Sequence, residues 1–153
     1  MSKLVINSHA EFEKFAGKEV GVSEYLQVTQ EQINAFAGAT LDHQWIHTDP
    51  ERAASGPFGS TIAHGYLTLS LLPYLWEQIA DIRNLKMQVN YGIDKLKFGE
   101  AVRVNDKVRL RTKLCSLLNL RGISKAEIEA TLEIEGQKKP AFTSTIIFLY
   151  HFE

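Results

Sequence analysis

Two stretches in the C-terminal third alternate apolar and polar residues without a break. Val108, Leu110, Thr112 and Leu114 are interleaved with Arg109, Arg111 and Lys113, and Ala126, Ile128, Ala130, Leu132 and Ile134 with Glu127, Glu129, Thr131, Glu133 and Glu135. Side chains of a strand point alternately to its two faces, so these runs dictate antiparallel strands with one dry and one wet face. The dry face needs an apolar cover. Gly65 to about Ala80 supplies it: Leu67, Leu71, Tyr74 and Leu75 fall on one side of a helix, and Leu69, Leu72, Trp76 and Ile79 close to the other. A helix apolar all round is a buried helix. Pro73 removes one of its hydrogen bonds, and because the pattern resumes after it we expect one bent element. The expectation is therefore an α+β domain whose antiparallel sheet curls round a long central helix.

The remaining segments fit around this frame. Ser8 caps a short helix that carries Phe12 and Phe15 and stops at Gly17, and Val20 to Val28 reads as a first strand. Thr29 with Gln32 opens a second helix through Ile33, Phe36 and Ala37, ended by Gly38. From Ala39 to Thr61 the sequence is a long connection, interrupted by a single turn at Pro50-Glu51-Arg52-Ala53 with Asp49 as its cap. Loops much longer than about 12 residues are uncommon in compact domains unless they have a task. Beyond the long helix, Leu85 to Tyr91 and Lys95 to Phe98 read as two strand pieces before Gly99. Gly136-Gln137-Lys138 makes a turn, and Ala141 to Phe152 is a last strand apolar at both parities.

With 153 residues and 44% hydrophobic content the chain suits a single domain spanning 1–153, since a globule of this size buries roughly 70% of the surface its unfolded chain exposes. A formal charge of -1 leaves no basic footprint for nucleic acid. The one cysteine, Cys115, permits no internal disulfide and reads as a packed thiol in a strand. Acidic residues follow the short apolar start too soon for a leader, and no apolar run is long enough to cross a bilayer. A cytoplasmic protein without membrane contact is expected.

The long connection holds the residues with chemistry in them. Asp42 and His47, five apart in a turn-rich loop, can face one water: one accepts its proton while the other orients it or donates elsewhere, each transfer being worth roughly 10²–10⁴ in rate. Hydration and dehydration need such a pair. A turn-capping carboxylate and a surface imidazole suit the same residues. His43 and His47 also have a zinc-ligand spacing that His64 could complete. The H-E-x-x-H form is absent, however, and Trp45-Ile46 near Pro50 predicts loop rather than helix, so no metal and no cofactor are expected. His64-Gly65 starts the long helix, where unpartnered amides suit an oxygen that becomes negative during reaction. Equally, Gly65 permits tight packing and His64 satisfies a buried polar group.

At these residues the sequence resembles the MaoC-like dehydratases, which include the (R)-specific enoyl-CoA hydratases, and within them the branch related to nodulation protein N. The resemblance runs from about Thr29 to Leu75 and more loosely through Asn90-Tyr91-Gly92 and the later strands. Its core is A-x-x-D-H-Q-W-I-H-x-D followed by G-P-F-G-x-T-I-A-H-G-Y-L-T-L-S-L-L-P. It implies a hot dog fold, a homodimer joined at sheet edges, and reversible hydration of trans-2-enoyl thioesters to (R)-3-hydroxyacyl thioesters on coenzyme A or acyl carrier protein. By position, Asp42 and His47 become the catalytic pair, and Gly65 the donor to the thioester carbonyl. His64, Gln44, Trp45 and Tyr66 join Gly65 in binding substrate. Gln44-Trp45 stands where many hydratases have Asn-Pro, which bears on substrate orientation and chain length. Lys95, Lys97 and Arg103 are candidates for coenzyme A phosphates. A thioesterase on the same fold, or a non-catalytic acyl-thioester-binding subunit, are the rival readings.

Overall fold

The computed structural model of the chain describes residues 3–153. In order come β1 (Leu4–Ile6), α1 (His9–Glu13), β2 (Glu19–Val22), β3 (Leu26–Gln27), α2 (Gln30–Thr40), α3 (Trp45–Thr48), α4 (Pro50–Ala54), α5 (Gly65–Ser70), α6 (Leu72–Ile79), β4 (Ala80–Ile82), β5 (Leu85–Phe98), β6 (Lys107–Leu120), β7 (Ile123–Ile134) and β8 (Phe142–Phe152). Six strands make one antiparallel sheet in the order β2-β6-β7-β8-β5, with β3 also paired to β6. β1 and β4 form a separate parallel pair, too short to show a period in the sequence.

The alternation of β6 and β7 is realised as read. Val108, Leu110 and Leu114, and Ala126, Ile128 and Leu132, are fully buried on one side of the sheet. They share a core with Leu72, Leu75, Trp76 and Ile79 of α6, each such side chain contributing about 1.5–3 kcal/mol by leaving water. The outer face is wet: Glu133 accepts from Arg109 Nε at 2.8 Å and Arg111 Nε at 3.1 Å. At the core's centre Trp76 Nε1 donates to the Tyr150 hydroxyl at 2.8 Å, with the Phe12 ring against both. Burial pushes the Tyr150 phenol above its ordinary range, so it stays neutral.

Several boundaries differ from the sequence reading, each for a local reason. The long helix is two, α5 and α6, meeting at Leu71, because Pro73 has no amide to continue the ladder. α2 runs through Gly38 to Thr40; Leu41 takes the left-handed turn at φ 68° and donates its amide to the Ala37 carbonyl at 2.8 Å. The expected first strand is split into β2 and β3. β5, expected as two pieces, is one strand whose register shifts at three places, including Asp94/Lys97 where Lys95 has φ 54°. Bulges scramble the two-residue period, and this hid its continuity. Cys115 is exposed rather than packed, because it continues the outward parity of Arg109, Arg111 and Lys113 on the wet face of β6. Among the described residues, no helix is long and apolar enough to cross a membrane.

β8 carries one oddity. Ser144 points into the core, yet its hydroxyl has no hydrogen-bond partner. Replacing an unsatisfied buried hydroxyl with a methyl group removes a desolvation penalty. Chemical and thermal unfolding should therefore find Ser144→Ala as stable as the parent or more so, whereas Leu75→Ala should lose about 2–5 kcal/mol. A Ser144→Ala loss as large as that of Leu75→Ala would contradict this packing.

Candidate active site

The site is assembled from the end of α2, the single turn of α3 and the segment leading into α5. Leu41, in its left-handed turn, ends α2 and hands the chain to Asp42, whose side chain is exposed. α3 was expected as loop. It forms because the His47 amide closes on the Gln44 carbonyl at 3.0 Å, while the Thr48 hydroxyl donates to the His43 and Gln44 carbonyls, both at 3.2 Å. Asp49 then caps α4 as predicted, accepting from the Arg52 amide at 3.1 Å.

A four-residue helix is too short to hold itself, and neighbouring groups hold it in place. Gln30 Nε2 of α2 donates to the His47 carbonyl at 2.8 Å, and Gln30 Oε1 accepts from the Thr61 hydroxyl. The Ile62 amide donates to the Ile46 carbonyl at 3.0 Å. In return His47 Nδ1 donates to the Ile62 carbonyl at 2.8 Å. Residues 61–63 are themselves tied down, the Ala63 amide to the Val102 carbonyl at 2.8 Å and the Val104 amide to the Thr61 carbonyl at 3.0 Å.

A carbonyl oxygen can only accept, so the Ile62 bond fixes the tautomer: the hydrogen is on Nδ1 and neutral His47 has a bare Nε2. Burial pulls its pKa below the ordinary histidine value. The Ile62 bond opposes that pull, His64 adds to it, and Asp42 opposes it. His47 is 6% exposed and His64 2%. Their rings stack at 3.8 Å between centroids and 21° between planes, and Phe36 closes on His64 at 4.9 Å. His64 Nε2 donates to the Asp42 carbonyl at 3.0 Å, which leaves its buried Nδ1 an acceptor without a partner.

A carboxylate oxygen of Asp42 and one ring nitrogen each of His47 and His64 lie within 4.8 Å of one another. One water with hydrogen bonds of about 2.8 Å on either side spans up to roughly 5.6 Å. The separation fits a bridging water. A metal ion fits poorly, because imidazole lone pairs lie in the ring plane, and two nearly parallel stacked rings cannot both aim at one ion about 2 Å from each. His43 is exposed and stands outside the cluster.

Gly65 is the first residue of α5, so its amide has no carbonyl one turn earlier to pair with. A Cβ there would come 3.0 Å from the Phe98 ring of β5, a close approach that glycine permits. Gln44 is exposed at the N-cap of α3 without a side-chain cap bond. Trp45 has the Arg52 guanidinium 4.3 Å over its ring and Gly56 packed on it. Tyr66 is 68% exposed, with its ring 6.0 Å from that of Phe98. Of the basic candidates, Arg103 is engaged, its Nε donating to the Phe58 carbonyl at 3.1 Å and its Nη1 3.7 Å from Glu100. Lys95 and Lys97 are exposed, and Lys97 lines a hollow of about 480 Å³ with Phe98 and Lys139. Gln30 and Thr61, which brace His47, escaped the sequence reading, since residues 31 apart give no local signal of pairing.

Comparison with known proteins identifies the family and the fold. A family model described as the MaoC like domain matches residues 11–136. Over 144 residues the chain is 46% identical to 3-hydroxyacyl-thioester dehydratase Z of Mycobacterium tuberculosis, covering 94% of this chain and 95% of that protein. Nodulation protein N of Rhizobium leguminosarum bv. viciae is 45% identical over 141 residues, 90% of this chain and 87% of that one. The unliganded R-hydratase structure from Pseudomonas aeruginosa superposes with a TM-score of 0.74, covering 95% of this chain and 86% of that one. At 18% identity it supports the hot dog fold alone. The chain belongs to the MaoC-like dehydratase family.

Proposed function

We propose that the chain, read as one MaoC-like domain, is a hydro-lyase that reversibly adds water to a trans-2-enoyl thioester to give the (R)-3-hydroxyacyl thioester. The observations that carry this reading are the Ile62 bond, which leaves Nε2 of His47 bare, and a His47 ring nitrogen within one water's reach of the Asp42 carboxylate beside the start of α5. In the hydration direction His47 accepts a hydrogen bond from the water and aims its oxygen at C3. Asp42 takes the other proton as the C3–O bond forms. The C2=C3 electron pair moves to the thioester oxygen, and the Gly65 amide stabilises the resulting enolate. C2 then recovers a proton from Asp42 as the enolate collapses. A neutral His47 has no proton on Nε2 to give at the outset, which favours Asp42 as the carrier.

The same geometry supports a homodimer. β5 is a free sheet edge of 14 residues and exposes Met87, Val89, Tyr91, Ile93 and Phe98. Such an edge invites pairing unless it is covered. A second copy on β5 would also wall the open side of the site, where Tyr66 and Phe98 meet next to Gly65. The acyl chain is placed along α5 toward a hollow of about 300 Å³ lined by Leu69, Leu72, Pro73, Ile93, Ile146 and Phe148. The phosphate of coenzyme A or of acyl carrier protein is placed near Lys97 and Lys139. An exposed, unpaired Cys115 accords with a reducing cytoplasm.

Loss of enoyl absorbance from crotonyl-CoA and longer substrates should be seen with the parent, and Asp42→Asn or His47→Gln should each lower kcat by about 10²–10⁴. Thiol release from saturated acyl-CoA without hydration would point instead to a thioesterase. Protonated His47 would turn its acceptor into a donor and misdirect the water. Hence kcat/KM should fall as pH drops through a pKa below about 6.5 and be level near neutrality. A limb still rising above neutral pH would contradict the assignment. In sedimentation the parent should run at twice its 17.3 kDa mass, and Tyr91→Asp with Ile93→Asp should give a monomer. A parent that stays monomeric would reject the β5 interface.

A further inference from the structure

We propose that His64 is a positioning residue, one that sets where the Asp42 carboxylate stands relative to His47 without itself touching substrate. The inference rests on the hydro-lyase reading of Asp42 and His47. At 2% exposure, with His47 stacked on it at 3.8 Å and Phe36 at 4.9 Å, His64 has almost no surface to offer a substrate, so the binding role implied by resemblance does not suit it. What it does offer is a tether. Asp42 follows the left-handed turn at Leu41, its side chain is exposed, and its contact with the Gln44 amide is a weak 3.5 Å. Among the described residues, the 3.0 Å bond from His64 Nε2 to the Asp42 carbonyl is what joins the Asp42 backbone to a distant part of the chain. That part is the entry to α5, which also carries Gly65. One imidazole thereby ties together the carboxylate, the stacked His47 ring and the amide on which the proposed reaction depends.

A purely space-filling role explains the residue less well. His64 Nδ1 is buried with no partner, a penalty that a phenylalanine of similar size would avoid. Retaining imidazole at that position makes sense if the Nε2–H donor is needed. A carboxylate displaced by about 1 Å loses on the order of a hundredfold in rate while ground-state binding changes little. A tether should therefore act on kcat, and a substrate contact on KM.

Three variants separate the possibilities: His64→Phe keeps an aromatic ring without the donor, His64→Gln places an amide N–H near the position of Nε2, and His64→Met has neither. Each is assayed on the dimeric or full-chain protein for crotonyl-CoA hydration, with unfolding curves to confirm a folded state. The expected result is a 10- to 100-fold fall in kcat for Phe and Met, about that order by the misplacement argument, with KM within about twofold. Gln should recover about tenfold of that loss. If Phe does not fold, the Gln-against-Met comparison decides alone. A kcat for Phe or Met near that of the parent, a loss carried by KM, or Gln no better than Met would overturn the proposal. Inactive parent protein would instead reject the hydro-lyase reading, and activity surviving in Asp42→Asn and His47→Gln would reject the assigned pair.

Discussion

The hydrogen bond from His47 Nδ1 to the Ile62 carbonyl sets the tautomer of His47 before any substrate arrives. It decides which nitrogen carries the proton, and so which nitrogen is left to accept a hydrogen bond from water. The bond is reliable because both its ends are immobilised: Gln30 and the Ile46 carbonyl pin the short helix that bears His47, and residues 102–104 pin the strand-like segment that bears Ile62. Burial then keeps the ring neutral, since charging it would mean taking an ion out of water. A loop-borne imidazole without these restraints would sample both tautomers and offer its lone pair only part of the time.

The scaffold serves the site in two ways. The sheet and α6 make the core, and the first residue of α5, Gly65, is exposed rather than buried in the interior. The free edge at β5 brings Phe98 against Gly65. The apolar surface that invites a second copy thus adjoins the atoms proposed to stabilise the enolate. In the proposed dimer, assembly and chemistry would share a border. The hydro-lyase activity follows from the family, while the residue roles are proposed from the local geometry.

Much of this was legible in the residues alone. Strict alternation revealed β6 and β7, and the helix caps at Ser8, Thr29 and Asp49 were read correctly because each is a local pattern with a local cause. Asp42, His47 and the His64-Gly65 helix start stood out by type and spacing, and the fold brings the first three together. What stayed hidden depends on partners far away in sequence. β5 lost its period to bulges, and α3 exists only because α2 and residues 61–62 hold it. Gln30 gave no hint of its role, since a glutamine in a first helical turn looks like any solvated residue. Arg103 looked like a free cation until Phe58 and Glu100 were found around it.

The most direct test of the account is nitrogen NMR of the His47 ring at neutral pH in the protein without substrate. The account predicts a protonated, pyrrole-like Nδ1 and a bare, pyridine-like Nε2. A ring protonated on Nε2, or on both nitrogens, would contradict it.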